Sequence, residues 1–368
     1  MPLAPATTRA SLLALFALLN STTAFSQTPA APAPSQRLSG TSTTATASED
    51  TVIKVGMIGL DTSHCLAFAK VMNDADDPKY VPGCQITLVY PKGSPDIESS
   101  TRRVPQYTVD IQKLGVKVTH DLNDMIEQVD AVLLETNDGR PHLEQILPVL
   151  KAGKPCFIDK PMAASLTDCL AIFTLAEHYN TPVFSASSLR YGTNTQAVKS
   201  GSIGNVTGCD TYSPCKLEKT HPDLFWYGIH GVESLVTVMG PNIKSVTRTQ
   251  TDNFDQVTGV WTDGRIGTFR GIRAGASGYG GIAFGQKKTS PVGQYDGYAP
   301  LVQKIATFFQ SGKAPVNAKE TIAIYAFMEA ADESKRQNFG SVQITKVIQK
   351  AQRQANAKVM KIMAADQL

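Results

Sequence analysis

Residues 129–161, VDAVLLETNDGRPHLEQILPVLKAGKPCFIDKP, constrain the fold more than any other part of the chain. Val132, Leu133 and Leu134 form a short apolar run suited to a parallel strand buried on both faces. Thr136, Asn137, Asp138 and Gly139 interrupt it. Leu143, Ile146, Leu147 and Leu150 then recur at helical spacing, and Gly153 follows where a helix would stop. Cys156, Phe157 and Ile158 make a second strand, with Lys160 just past its C-terminal end and Pro161 behind it. In open α/β sheets, ligands bind outside the carboxyl ends of the strands. Lys160 therefore reads either as a group for chemistry or as a solvated loop lysine.

The alternation extends in both directions. A strand is expected over 52–59, a helix over 61–73, a second strand over 85–90, a third over 116–119 and a helix over 122–129. A helix over 166–179 and a strand over 180–185 follow the central stretch. The first strand, glycine turn and helix form the phosphate-binding end of a Rossmann-type unit. Of the usual G-x-G-x-x-G, only Gly59 survives in Gly59-Leu60-Asp61-Thr62-Ser63-His64. Asp61 would set a carboxylate against an approaching pyrophosphate, or it serves as a helix N-cap. Thr62 and Ser63 offer hydroxyls, and the helix N-terminus offers backbone N–H groups. The second strand ends at Tyr90-Pro91-Lys92-Gly93-Ser94 without the acid that commonly holds a ribose. Lys92 and Ser94 suit a 2′-phosphate, which favours NADP over NAD; an ordinary basic turn is the other reading.

Beyond about residue 187 the period changes. Segments 206–213, 245–250, 256–261 and 267–272 alternate apolar and polar residues between Gly and Asp turns, the pattern of a largely antiparallel sheet with one covered face. Amphipathic helices are expected over 301–310 and 319–336, with a helical tail over 346–368. His230 and Glu233 lie at i and i+3 on one helical face. His230 suits proton transfer because an imidazole titrates near neutrality, and a helix histidine bonded to backbone is the plainer reading. Arg140, Arg190, Tyr191, Lys216 and His221 could line a cleft for a polyhydroxylated or anionic substrate. Alternatively, Arg140 pairs with Asp138 and Arg190 with Asp159.

The 368 residues suggest more than one domain, and a net charge of +3 without a basic run argues against nucleic acid. Arg9 precedes the apolar run 11–19, and small residues follow. A signal peptide over 1–26 and a disordered linker over 27–50 are expected, giving a periplasmic or secreted protein. The apolar run is shorter than the roughly 20 residues that span a bilayer, so no stable membrane anchor is expected. The six cysteines read as small buried residues. Cys209 and Cys215 on one extended strand would be about 20 Å apart, too far to bridge. No metal-ligand spacing is present, so no metal is expected.

Thr136, His142, Ala152-Gly153-Lys154 and Asp159-Lys160-Pro161 resemble the second signature of the Gfo/Idh/MocA family, the relatives of glucose-fructose oxidoreductase and inositol dehydrogenase. Asp159 stands where that family usually has Glu. The resemblance covers about residues 52–345. It implies a Rossmann-like nucleotide-binding domain over 51–186 and an α+β substrate domain over 187–345, whose open sheet can pair two copies of the chain. It also implies NAD(P)-dependent oxidation of a sugar, sugar acid or cyclitol hydroxyl. Gly59, Asp61, Thr62, Ser63, His64, Lys92, Thr136, Asn137, His142, Asp159 and Lys160 would face the cofactor. Lys160 and His230 would move the hydroxyl proton. The family's Asp four residues before the histidine is Trp226 here, which leaves Tyr227 or Glu233 to orient the base.

The departures in the glycine loop and at Trp226 keep two other readings open: redox-neutral glycoside cleavage with a tightly held cofactor, and a carbohydrate-binding protein with a weakened nucleotide site. A leader with one arginine predicts export unfolded, and hence substoichiometric cofactor in the exported protein.

Overall fold

The alternating first half folds as a parallel sheet because each apolar run is too short and too uniformly buried to face water on either side. The computed structural model describes residues 52–366; the leader over 1–26 and the linker over 27–50 lie outside the described residues. In chain order the first half runs β1 (Ile53–Ile58), α1 (Ser63–Asn73), β2 (Cys84–Tyr90), α2 (Glu98–Gln112), β3 (Lys117–Val118), α3 (Leu122–Gln128), β4 (Ala131–Leu134), α4 (His142–Lys151), β5 (Cys156–Ile158), α5 (Leu166–His178) and β6 (Val183–Ser185). The strands order as β3-β2-β1-β4-β5-β6, all parallel. This is the doubly wound order, with its switch point between β1 and β4.

Period-two alternation divides the strand side chains between two cores. Val132, Leu134 and Ile158 pack with Met125, Ile146 and Leu170 on one side. Leu133, Phe157 and Phe184 pack with Phe68 and Met72 on the other. Ile58, Leu134 and Ile158 end side by side. The next residues, Gly59, Glu135 and Asp159, consequently emerge as one row at the carboxyl edge. Helix α2 went unread in the sequence, since only Ser100 and Ile111 are buried and Pro105 sits inside it.

The second half follows a 3-10 turn at Ser188–Tyr191: α6 (Thr193–Lys199), β7 (Val206–Pro214), α7 (Ile229–Met239), β8 (Ile243–Gln250), β9 (Phe254–Trp261), β10 (Ile266–Ile272), β11 (Gly280–Gly285), β12 (Thr289–Val292), α8 (Ala299–Ser311), α9 (Ala318–Arg336), β13 (Val342–Gln343) and α10 (Ile344–Ala365). The sheet order is β12-β11-β7-β10-β9-β8-β13. Its pairings are antiparallel except β7 with β10. Helices α7 and α9 cover one face. Tyr212, Ile266, Ile282 and Phe284 are exposed on the other.

The two halves interlock. Helix α8 returns to the first sheet, where Phe308 packs 4.9 Å from Phe184 between ring centres, and α10 lies against α5. All six cysteines are free and buried. Among the described residues, no helix is long and apolar enough to cross a membrane.

Candidate functional site

The turn after β1 depends on one glycine. Gly59 has φ +99°, and a Cβ there would stand 2.5 Å from the Thr136 nitrogen, so any other residue would push β1 and β4 apart. Asp61 turns inward and does not line the cavity, which corrects the reading that it faces a cofactor. Its carboxyl is buried and accepts from the Asn137 N–H at 2.9 Å and Ser100 Oγ at 2.7 Å. Burial outweighs those two bonds and raises it to about 6. The N-cap of α1 is Thr62, whose Oγ1 accepts from the His64 N–H at 3.4 Å.

At the end of β4, His142 is a staple. Its Nε2 lies 2.7 Å from the Thr136 carbonyl and its Nδ1 3.1 Å from the Met162 carbonyl, tying this loop to the segment after β5. Thr136 is buried and bonded to Gln145. Asp138 is a second anchor: Arg140, Ser94 and His221 all reach it. Burial works to raise its carboxyl, and the nearby His221 ring with the bonds from Arg140 and Ser94 overcomes this and holds it far below the usual range.

A cavity of about 460 Å³ opens where the ends of β1, β4 and β5 face the second half. Thr62, Ser63, His64, Asn137, Lys160, Lys216, Tyr227 and His230, all singled out in the sequence, line it. Lys160 is 12% exposed, and its Nζ lies 3.7 Å from Asp159. His230 Nδ1 lies 2.8 Å from Ser187 Oγ. Burial first, and the neighbouring Lys160 charge second, push His230 well below the ordinary imidazole value.

Other expectations are corrected. Glu233 does not orient His230: it accepts from Arg190 Nε at 2.7 Å and the Ser187 N–H at 2.8 Å. Arg190 pairs with Glu233 and Glu320 rather than Asp159, and is buried. Tyr191 is buried beside it. Arg140 is held between Asp138 and Asp96, and His221 is held by Asp138 at 3.2 Å. Neither arginine lines the cavity, and neither does His221. Lys92 is exposed and off the wall, while Ser94 is buried against Asp138.

Several wall residues escaped the sequence reading. Ser99, Arg102 and Arg103 come from α2, and Trp226, Tyr279, Tyr295 and Tyr298 supply aromatic surface. The SSTRR run carried a usable signal, because residues 99, 102 and 103 share a helix face. The tyrosines come from glycine-rich connections whose spacing says nothing about direction.

Among the described residues, the wall carries the basic side chains Arg102, Arg103, Lys160 and Lys216 and no carboxylate. With the N-terminus of α1 and the close approach allowed by Gly59, this fits a dinucleotide, whose phosphates need N–H donors and positive charge.

Residues 53–187 match the model of an oxidoreductase family with an NAD-binding Rossmann fold. An uncharacterized oxidoreductase of Streptococcus pneumoniae is 24% identical over 217 residues, 54% of this chain and 53% of the relative. The match thus spans about half the length of that curated relative. Among solved structures, a probable dehydrogenase from Thermotoga maritima superposes with TM-score 0.65 at 18% identity, covering 80% of this chain and 100% of its own. A scyllo-inositol dehydrogenase from Lactobacillus casei, with bound NAD(H) and scyllo-inositol, gives TM-score 0.65 at 17% identity with the same coverage. An oxidoreductase from Agrobacterium radiobacter, in complex with NAD+, L-tartaric acid and magnesium, gives 0.63 at 16%, covering 80% and 99%. These likenesses show a shared fold.

Proposed function

We propose, on the match of residues 53–187 to the model of the Gfo/Idh/MocA oxidoreductase family, that the chain is an NAD(P)-dependent dehydrogenase acting on a hydroxyl of a sugar, sugar acid or cyclitol. The observation that carries this reading is that Lys160 and His230, from opposite halves of the chain, line one cavity together with the N-terminus of α1. Thr62, Ser63, Asn137, Arg102 and Arg103 would hold the nucleotide, which when bound supplies a hydride acceptor. His230, kept neutral by burial and oriented through Nδ1 by Ser187, takes the hydroxyl proton. Lys160 donates to the substrate oxygen and fixes its position.

Two finer points belong to the proposal. NADP is favoured over NAD, supported by the absence of an acid after β2 and by the two arginines of α2 on the wall. A sugar acid is favoured among substrates, supported by Lys216 and the lack of any wall carboxylate; the aromatic side chains suit the apolar face of a sugar ring. Export stays with the proposal as well, and a mature N-terminus after Ser26 is its check.

The test is a panel of sugar acids, sugars and cyclitols with NADP and NAD, read as reduced nicotinamide at 340 nm on the purified protein. Net reduction with one substrate class is expected. Nucleotide binding with substrate turnover but no net reduction would place the chain with redox-neutral glycoside cleavage. No nucleotide binding at all would reject both.

A further inference from the structure

We propose that His64, Glu135 and Asp159 form a binding site for one divalent transition-metal cation of the zinc or manganese class, buried behind the part of the cavity wall that His64 lines. This goes beyond the dehydrogenase reading and does not depend on it. The fold builds the cluster from three separate elements. Glu135 and Asp159 follow β4 and β5, whose last residues are in register, and His64 stands in the first turn of α1. One ligand atom from each lies within 4.8 Å of the other two. An imidazole nitrogen with two carboxylate oxygens is a donor set for borderline divalent cations.

A second observation points independently to an occupant. Glu135 is 0% exposed, and among the described residues neither of its oxygens has a hydrogen-bond partner. A carboxyl buried without a partner is strongly disfavoured in a folded protein. The other two groups share this condition. His64 Nδ1 comes within 2.8 Å of Asp159 Oδ2, but neither that nitrogen nor either Asp159 oxygen completes an aligned hydrogen bond. All three side chains therefore aim unsatisfied atoms into one volume.

Charge gives the same answer. Lys160, 3.7 Å from Asp159, offsets one of the two carboxylates, so the second requires either a proton or a cation. A divalent ion would offset the second carboxylate and give all three side chains a common partner. His64 and Lys160 line the cavity, which gives the ion an entry path.

The test uses the full chain, treated with chelator and free of nucleotide, titrated with Co²⁺ and Zn²⁺ by visible absorption and calorimetry. One ion per chain is expected, bound tighter than about 10 µM, with the absorption of mixed nitrogen and oxygen ligation for cobalt. Glu135→Gln preserves volume and removes the charge. It should weaken binding at least about 100-fold, more than loss of an outer partner, and should abolish the rise in melting temperature that Zn²⁺ gives the wild type. Absence of saturable binding to the wild type would overturn the proposal. Equal affinity in Glu135→Gln would also overturn it. If that variant does not fold, His64→Gly carries the same comparison, since glycine is the usual residue at this turn of the fingerprint. No nucleotide or substrate enters the measurement, so a negative result leaves the dehydrogenase reading intact.

Discussion

His230 owes its readiness as a base to its surroundings. Burial and the Lys160 charge both disfavour the imidazolium, so the ring stays neutral into mildly acidic solution. The acid limb of kcat/KM should accordingly fall below pH 6.5, and a limb at or above neutrality would exclude His230 as the base. Ser187→Ala removes the group facing Nδ1; kcat should fall about 10-fold with KM little changed, because orientation is lost and binding is not. Lys160→Met should lower turnover by about 100-fold or more while retaining the wild-type circular dichroism, with a lower melting temperature because buried Asp159 loses its partner. Full turnover in that variant would make the lysine structural. Asp61 affects stability instead. Its carboxyl is raised from 3.8 to about 6 in the fold, so the folded chain binds a proton that the unfolded chain releases. Its contribution is fully present below about pH 4 and lost as pH rises to about 6, on the order of 3 kcal/mol at most. Asp61→Asn should flatten that part of the stability curve in denaturant titrations.

Among the elements, α2 changes the nucleotide reading most. Its position between β2 and β3 brings Arg102 and Arg103 to the cavity, and Arg103 Nη1 also donates to the Asp61 carbonyl at 3.0 Å. Lys92, to which the sequence reading gave a phosphate-binding role, is exposed and does not line the cavity. Arg102, which makes no such structural bond, is the cleaner probe. Arg102→Ala should weaken NADP about 10-fold and NAD much less, as measured by quenching of protein fluorescence. Equal loss for both would assign the arginine to the shared pyrophosphate. Helix α7 works differently. It places His230 and Glu233 on one face as their spacing requires, yet the 3-10 turn beside it captures both, His230 through Ser187 Oγ and Glu233 through the Ser187 N–H.

At the scale of the molecule, the second sheet leaves Tyr212, Ile266, Ile282 and Phe284 exposed on the face opposite α7 and α9. We propose that a second copy of the chain covers this face. A grouped apolar surface on a folded protein commonly marks an interface. Ile282→Lys with Phe284→Lys should convert a dimer to a monomer in light scattering while retaining the wild-type circular dichroism. A wild-type monomer at micromolar concentration would remove the proposal.

The sequence by itself determined the strand-helix alternation, the change to an antiparallel pattern near residue 187, and the place of Lys160 at a strand end. Those features are local: burial on both strand faces, helical spacing and glycine stops are written within about fifteen residues. It also singled out Thr62, Ser63, Asn137 and His230, which line the cavity, because turn and helix positions follow from the same patterns. Only the tertiary structure decided which charges are spent on one another. Arg190 looked available and is consumed by Glu233 and Glu320, 43 and 130 residues away. Asp61 turned inward because Ser100 and Asn137, 39 and 76 residues away, complete its hydrogen bonds. The row of Glu135 and Asp159 beside His64 likewise had no spacing to betray it. Strand register brought those side chains together, and register is fixed by the packing of the whole sheet.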